Sequence, residues 1–125
     1  LDEGNIWEAA MFAKKYNLAN LIAIVDRNNI QIGGDTEKVM PLGELADKWR
    51  SFGWDAQEID GHNHLAIIQA IDKAKVSRQP SVIIAHTIPG RGVDFMEYDY
   101  HWHGKSPNAE EAERALAQLS EGSGE

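Results

Sequence analysis

Two short runs constrain the fold more than anything else in the chain. Residues 21–25 (LIAIV) are apolar at every position and rich in β-branched side chains, and residues 81–85 (SVIIA) repeat the pattern. A strand with one wet face alternates polar and apolar, whereas a continuous run of this length suits a strand buried on both faces of a parallel sheet. Asp26-Arg27-Asn28-Asn29 ends the first run with turn-forming polar residues. Between the runs the spacing predicts a helix over 42–52, a short strand over 54–59 and a helix over 64–77 with Asn63 as its N-cap. Ahead of them, Ile6, Ala9, Ala10, Phe12 and Ala13 recur at helical spacing through residues 5–16. Strands and helices alternating at these lengths make βαβ units, whose crossovers cover both faces of a sheet, so the fold class is α/β with a parallel sheet.

Ligands of open parallel sheets bind beyond the carboxyl ends of the strands, and Asn28, Asn29 and Ile30 follow the first run directly. An Asn carbonyl beside a backbone carbonyl suits Mg²⁺, which prefers oxygen ligands. The same pair also reads as a plain turn, because Asn tolerates left-handed backbone angles. Thr87-Ile88-Pro89-Gly90-Arg91-Gly92 follows the second run, with two glycines that let backbone approach a ligand closely. His101-Trp102-His103-Gly104-Lys105 then brings two imidazoles and an amine into one stretch, suited to proton transfer, to anionic oxygens or to zinc, or else simply a solvated loop. From residue 87 to 107 no period holds, longer than a connection needs. His62 and His64 flank a helix start, and His86 ends a strand where its ring can bond a carbonyl. Asn108, three residues before Glu111, opens a last helix to about Leu119, and a disordered tail is expected over 120–125.

Composition narrows the partners. Twelve basic against twenty acidic residues give a formal charge of −8, which disfavours nucleic acid, and no apolar run approaches the roughly 20 residues that span a bilayer. With no cysteine there is neither a disulfide framework nor a thiolate metal site, consistent with a reducing cytoplasm. Leu1 opens the sequence without a signal-peptide pattern and reads as a cut end.

Four stretches, LDEGNIWEAA, NLIAIVDRNNIQI, IIAHTIPGRGVDFM and HWHGK, together and in this order resemble the thiamine-diphosphate-binding domain of transketolases. The resemblance implies a parallel-sheet, three-layer fold that is incomplete at its N-terminus, with residues 1–119 forming the C-terminal part of that domain. It implies thiamine diphosphate and Mg²⁺ as cofactors. Asn28, through its side chain, and Ile30, through its backbone carbonyl, would hold the metal. Glu3, Gly4 and Ile88 would lie by the cofactor, and His103 would be a catalytic histidine near diphosphate and substrate. The family's Gly-Asp-Gly, which carries a further metal ligand, would stand ahead of Leu1. His-Gly-Lys-Ser-Pro in place of His-Gly-Ala-Pro is more like versions split into two subunits.

The implied activity moves a two-carbon ketol unit between sugar phosphates, as in the pentose phosphate pathway. It needs a pyrimidine-binding domain or C-terminal subunit, together with a second protomer, as homodimer or heterotetramer, so this stretch is not a complete catalyst. The rival readings are another thiamine-diphosphate enzyme, such as a deoxyxylulose phosphate synthase, a non-catalytic assembly module, and a general phosphate-binding module resting on Gly90 and Gly92.

Overall fold

A computed structural model describes residues 1–121 of the chain. In order, the elements are α1 (Gly4–Lys15), β1 (Ile22–Arg27), β2 (Ile30–Gln31), β3 (Gly34–Asp35), α2 (Thr36–Val39), α3 (Leu45–Ser51), β4 (Asp55–Asp60), α4 (His64–Lys75), β5 (Ser81–His86), a 3-10 turn at Tyr100–His103 and α5 (Ala109–Glu121). They form two compact units: Leu1–Arg27 with Leu42–Thr87, and Asn28–Pro41 with the chain from Ile88 onward.

The first unit holds a parallel sheet in the order β1-β5-β4, with β5 paired along its whole length to both neighbours. Its side chains alternate between two cores. Val82 and Ile84 point into a cluster with Ala10 and Ala13 of α1, Leu45, Ala46 and Trp49 of α3, and Trp54. Ile83 faces the other way, against Ala70 and Ala74 of α4. Helices therefore cover both faces, as the expected three-layer α/β fold requires. Alanines at the helix contacts let backbones approach the sheet closely, and the buried Trp54 indole satisfies its N–H by donating to the Ala10 carbonyl at 3.0 Å.

The predicted elements are found with shifted ends, for identifiable reasons. The helix expected over 42–52 starts only at Leu45, because Gly43 takes φ +55 in the left-handed region that breaks a helix. Asn63 caps α4 as expected, its side chain accepting from the Ala66 N–H at 3.1 Å. Two expectations are corrected. Residues 21–25 are not buried on both faces: β1 pairs only with β5 among the described residues, and Ile24 is 61% exposed. The apolar run reports a strand whose two faces are both apolar, not that this chain covers both. His86 bonds a carboxylate rather than a carbonyl, its Nε2 lying 2.8 Å from Glu58 Oε2.

The second unit has elements for which the sequence carried no expectation. Ile30–Gln31 and Gly34–Asp35 form a two-stranded antiparallel hairpin, followed by the single helical turn of α2. Helix α5 opens on a reciprocal capping box: Asn108 Oδ1 accepts from the Glu111 N–H at 2.9 Å, and Glu111 Oε2 from the Asn108 N–H at 2.8 Å. Ser120 and Glu121 continue this helix, two residues beyond its expected end, and the rest of the expected tail lies outside the described residues. Among the described residues no helix is long and apolar enough to cross a membrane.

Because Ile84 is 1% exposed in the centre of the sheet, Ile84→Ala should destabilise the protein by about 2–5 kcal/mol, read by denaturant unfolding.

Candidate functional site

The site is built wholly within the second unit, from the two segments that follow β1 and β5. Asn28 comes directly after β1, and its Oδ1 accepts from the Ile30 N–H at 3.1 Å. This bond closes an Asx turn, which Asn29 completes with φ +64, a conformation Asn tolerates better than most residues. The Asn29 carbonyl then accepts from the Thr36 N–H at 2.9 Å, so the turn is fixed at both ends. The turn reading of Asn28-Asn29 is thus correct. It does not compete with ligand binding, since an Asn oxygen has a second lone pair.

The second segment, from Ile88 to Pro107, is held by local bonds and not by a period. Gly90 adopts φ +73, and a Cβ there would come within 2.6 Å of the Met96 backbone. Its close approach is therefore to the chain itself, at the wall of the cavity described below. Asp99 sets the 3-10 turn by accepting from His101 twice, from the backbone N–H at 2.9 Å and from Nδ1 at 2.6 Å. These bonds, the backbone one foremost, hold the Asp99 carboxyl below its ordinary range. Trp102 donates its indole N–H to the Phe95 carbonyl at 2.9 Å and packs edge-on to that ring.

These two segments enclose a cavity of about 360 Å³. Asn28, Ile30 and His103 all line it. Three of the residues singled out from sequence, distant in the chain, thereby come together. Pro89, Gly90, Met96, Trp102 and Pro107 supply its apolar wall, and Asp99 and Lys105 its charges. His103 and Lys105 also border a second cavity of about 460 Å³, beside Ile32 and Tyr100. Ile88 is not among the lining residues; its carbonyl accepts from the Arg91 N–H at 3.3 Å in the turn that starts the segment. Glu3 and Gly4 belong to the first unit, at the start of α1, where Glu3 takes the N-cap position without a side-chain cap bond.

Sequence reasoning did not single out Asp99, Met96 or the dual role of Glu111. An Asp two residues before a His at the head of a short helical turn is a readable capping signal for Asp99. Met96 could not be found that way, because only the fold of the loop turns it inward. Among the described residues no three His, Cys, Asp or Glu side chains gather in a metal-binding group.

Parallel α/β proteins bind their ligands where strands pass into loops, and a chain with this sheet and this loop-built cavity belongs to that class. More narrowly, the chain belongs to the transketolase thiamine diphosphate binding domain family, whose family model matches residues 1–121. It is 43% identical over 120 residues to an apulose-4-phosphate transketolase subunit of Phocaeicola vulgatus, covering 95% of this chain and 43% of that protein. It is 46% identical over 119 residues to a 6-deoxy-6-sulfo-D-fructose transketolase subunit of Clostridium sp., covering 94% of this chain and again 43% of the relative. The chain thus spans less than half the length of these two curated relatives. The transketolase of Campylobacter jejuni superposes with a TM-score of 0.88 at 31% identity, covering 94% of this chain and 18% of that one.

The Glu111 carboxyl is held below its ordinary value of 4.5, mainly by the hydrogen bond from Lys105 and then by the backbone bond at Asn108. A depressed folded value means that the stabilisation is complete above the ordinary value and is lost as pH falls through the folded one. Because the Lys105–Glu111 hydrogen bond is exposed the effect is small: below about pH 4.5 Glu111→Gln should lose slightly less melting temperature than the wild type, read by thermal unfolding across the acid range.

Proposed function

We propose that this chain supplies the diphosphate-binding side of a transketolase, as the C-terminal part of its thiamine-diphosphate domain. The enzyme would transfer a two-carbon ketol unit between ketose and aldose phosphates. The observation that carries this reading is the convergence of Asn28, Ile30 and His103 on one cavity, in a chain of the transketolase family.

The residues present fit the cofactor in size and in donor chemistry. A cavity of about 360 Å³ lies within the roughly 300–1,000 Å³ typical of small-molecule sites. Asn28 and the Ile30 carbonyl are oxygen donors of the kind Mg²⁺ takes, the rest of its octahedron coming from phosphate, water and residues outside this chain. Charge argues for the metal as well. The formal charges lining the cavity, Asp99 and Lys105, cancel, so a bound diphosphate needs a cation from elsewhere. Bound thiamine diphosphate would supply the carbanion-stabilising chemistry. His103 would act as the catalytic histidine, holding or moving a proton at the sugar or phosphate oxygens. The apolar wall around Met96 and Trp102 would exclude water. Ile88 would support the start of the loop, and Glu3 and Gly4 would serve the cofactor side of the domain.

Relatives named as transketolase subunits are 36–46% identical to this chain, a range that brackets the 39% of the human transketolase-like protein 2, so the reading as a split enzyme with a complementary pyrimidine-binding subunit rests on the His-Gly-Lys-Ser-Pro run at residues 103–107. Met11 and Phe12 on α1 and Tyr16 at its C-cap, each more than half exposed, are consistent with an assembled homodimer or heterotetramer, and the lack of cysteine with a cytoplasmic one.

In the complete enzyme, Asn28→Ala should weaken Mg²⁺-dependent thiamine diphosphate binding by on the order of 10- to 100-fold, measured by titration at fixed metal. His103→Ala should lower kcat/KM for phosphorylated ketoses by about 100-fold or more while leaving the melting temperature in place. Wild-type turnover in that variant would overturn the assignment of His103.

A further inference from the structure

Lys105 is held in a way that surface lysines seldom are. Its ammonium lies 2.8 Å from Glu111 Oε1 and 3.9 Å from the centre of the Trp102 ring, while the side chain lines the cavity. An exposed ion pair of this kind adds little stability, because fixing a long flexible side chain costs about as much as the attraction returns. What two restraints at once achieve is position. Glu111 is itself fixed, since its other carboxylate oxygen closes the capping box at Asn108. Helix α5 is fixed in turn to the loop: Gln118 Oε1 accepts from the Asp94 N–H at 2.9 Å, and the Arg114 guanidinium sits 4.6 Å over the Phe95 ring. The chain of contacts runs from the helix through Glu111 to an ammonium at the cavity wall.

We infer that, granted the thiamine-diphosphate reading above, Glu111 is a positioning residue that holds the Lys105 ammonium at the cavity wall to receive a phosphate oxyanion. Asp99 lines the same cavity, but its carboxylate only accepts hydrogen bonds, two of them from His101 on Oδ1, which leaves Lys105 as the formally charged lining group able to donate to an anion. The oxyanion is either the cofactor's diphosphate or the phosphate of the sugar, and these two sources share one recognition chemistry.

The test uses the complete enzyme with its complementary subunit. Glu111→Gln is the informative variant, because Gln can still close the capping box while it removes the charge that holds Lys105. Two quantities are measured: the Kd for thiamine diphosphate with Mg²⁺, and the KM for a phosphorylated against a non-phosphorylated ketol donor. Lys105→Met should weaken one of them by about 10-fold or more, the scale of a charge-assisted hydrogen bond. Glu111→Gln should weaken the same one by about 3- to 5-fold, with kcat and melting temperature near wild type. The double variant should be no worse than Lys105→Met alone, since Glu111 acts through Lys105. A raised Kd assigns the oxyanion to the cofactor, and a raised KM confined to the phosphorylated donor assigns it to the sugar; either supports the inference. Unchanged or tighter values in Glu111→Gln, or additive losses in the double variant, would overturn it alone. A wild-type assembly that binds no thiamine diphosphate would overturn the reading and the inference together.

Discussion

The structure of the first unit depends on one strand. β5 is paired in parallel on both sides, and Val82, Ile83 and Ile84 are at most 1% exposed. Parallel neighbours cannot be joined by tight turns, so the chain must cross over between them, and the helices that carry it become the two outer layers. The same constraint brings all three carboxyl ends to one edge, where they are tied to each other. Gly61 donates its N–H to the His86 carbonyl at 2.8 Å, Thr87 donates to the Arg27 carbonyl, and the Thr87 hydroxyl bonds Asp26. A Cβ on Gly61 would fall 2.5 Å from the Thr87 methyl, so that close approach requires glycine.

The second unit begins one residue past Arg27 and again one residue past Thr87, and it is held by different means. It has no strand buried on both faces. Its order comes from polar side chains that satisfy nearby backbone: Asn28 on Ile30, Asp99 on His101, Asn108 and Glu111 on each other. Such bonds fix local geometry without a large core, which is what a ligand-binding loop needs if it is to be shaped and still open.

That division explains what could be read from sequence. Hydrophobic periodicity reports burial, so the sheet, its helices and the α/β class were legible, and so were caps with simple local rules at Asn63 and Asn108. The extent of burial was less so, as Ile24 shows: an apolar residue does not reveal whether a neighbour in the same chain covers it. The hairpin at Ile30–Asp35 escaped because two-residue strands have no period to detect. At the site, Asn28, Ile30 and His103 were brought forward together through resemblance to a family, since each residue alone fits a turn or a solvated loop equally well, and the structure places all three on one cavity. Asp99 became meaningful only when the loop closed on itself, and so did the pairing of Lys105 with Glu111, although the amine itself was legible in the sequence. Ile88 shows the converse, a position singled out by its motif whose neighbour Pro89 lines the cavity instead.

Electrostatics gives the site its character. Lys105 faces Glu111 and Asp99 faces His101, so each charge bordering the cavity already has a partner within the second unit. With Asp99 and Lys105 as its formally charged lining groups, the cavity does not bind anions merely by being positive. For a chain of formal charge −8 that matters: the cavity has no formal positive excess to draw in anions, so any selectivity for one would come from the geometry of donors such as Lys105.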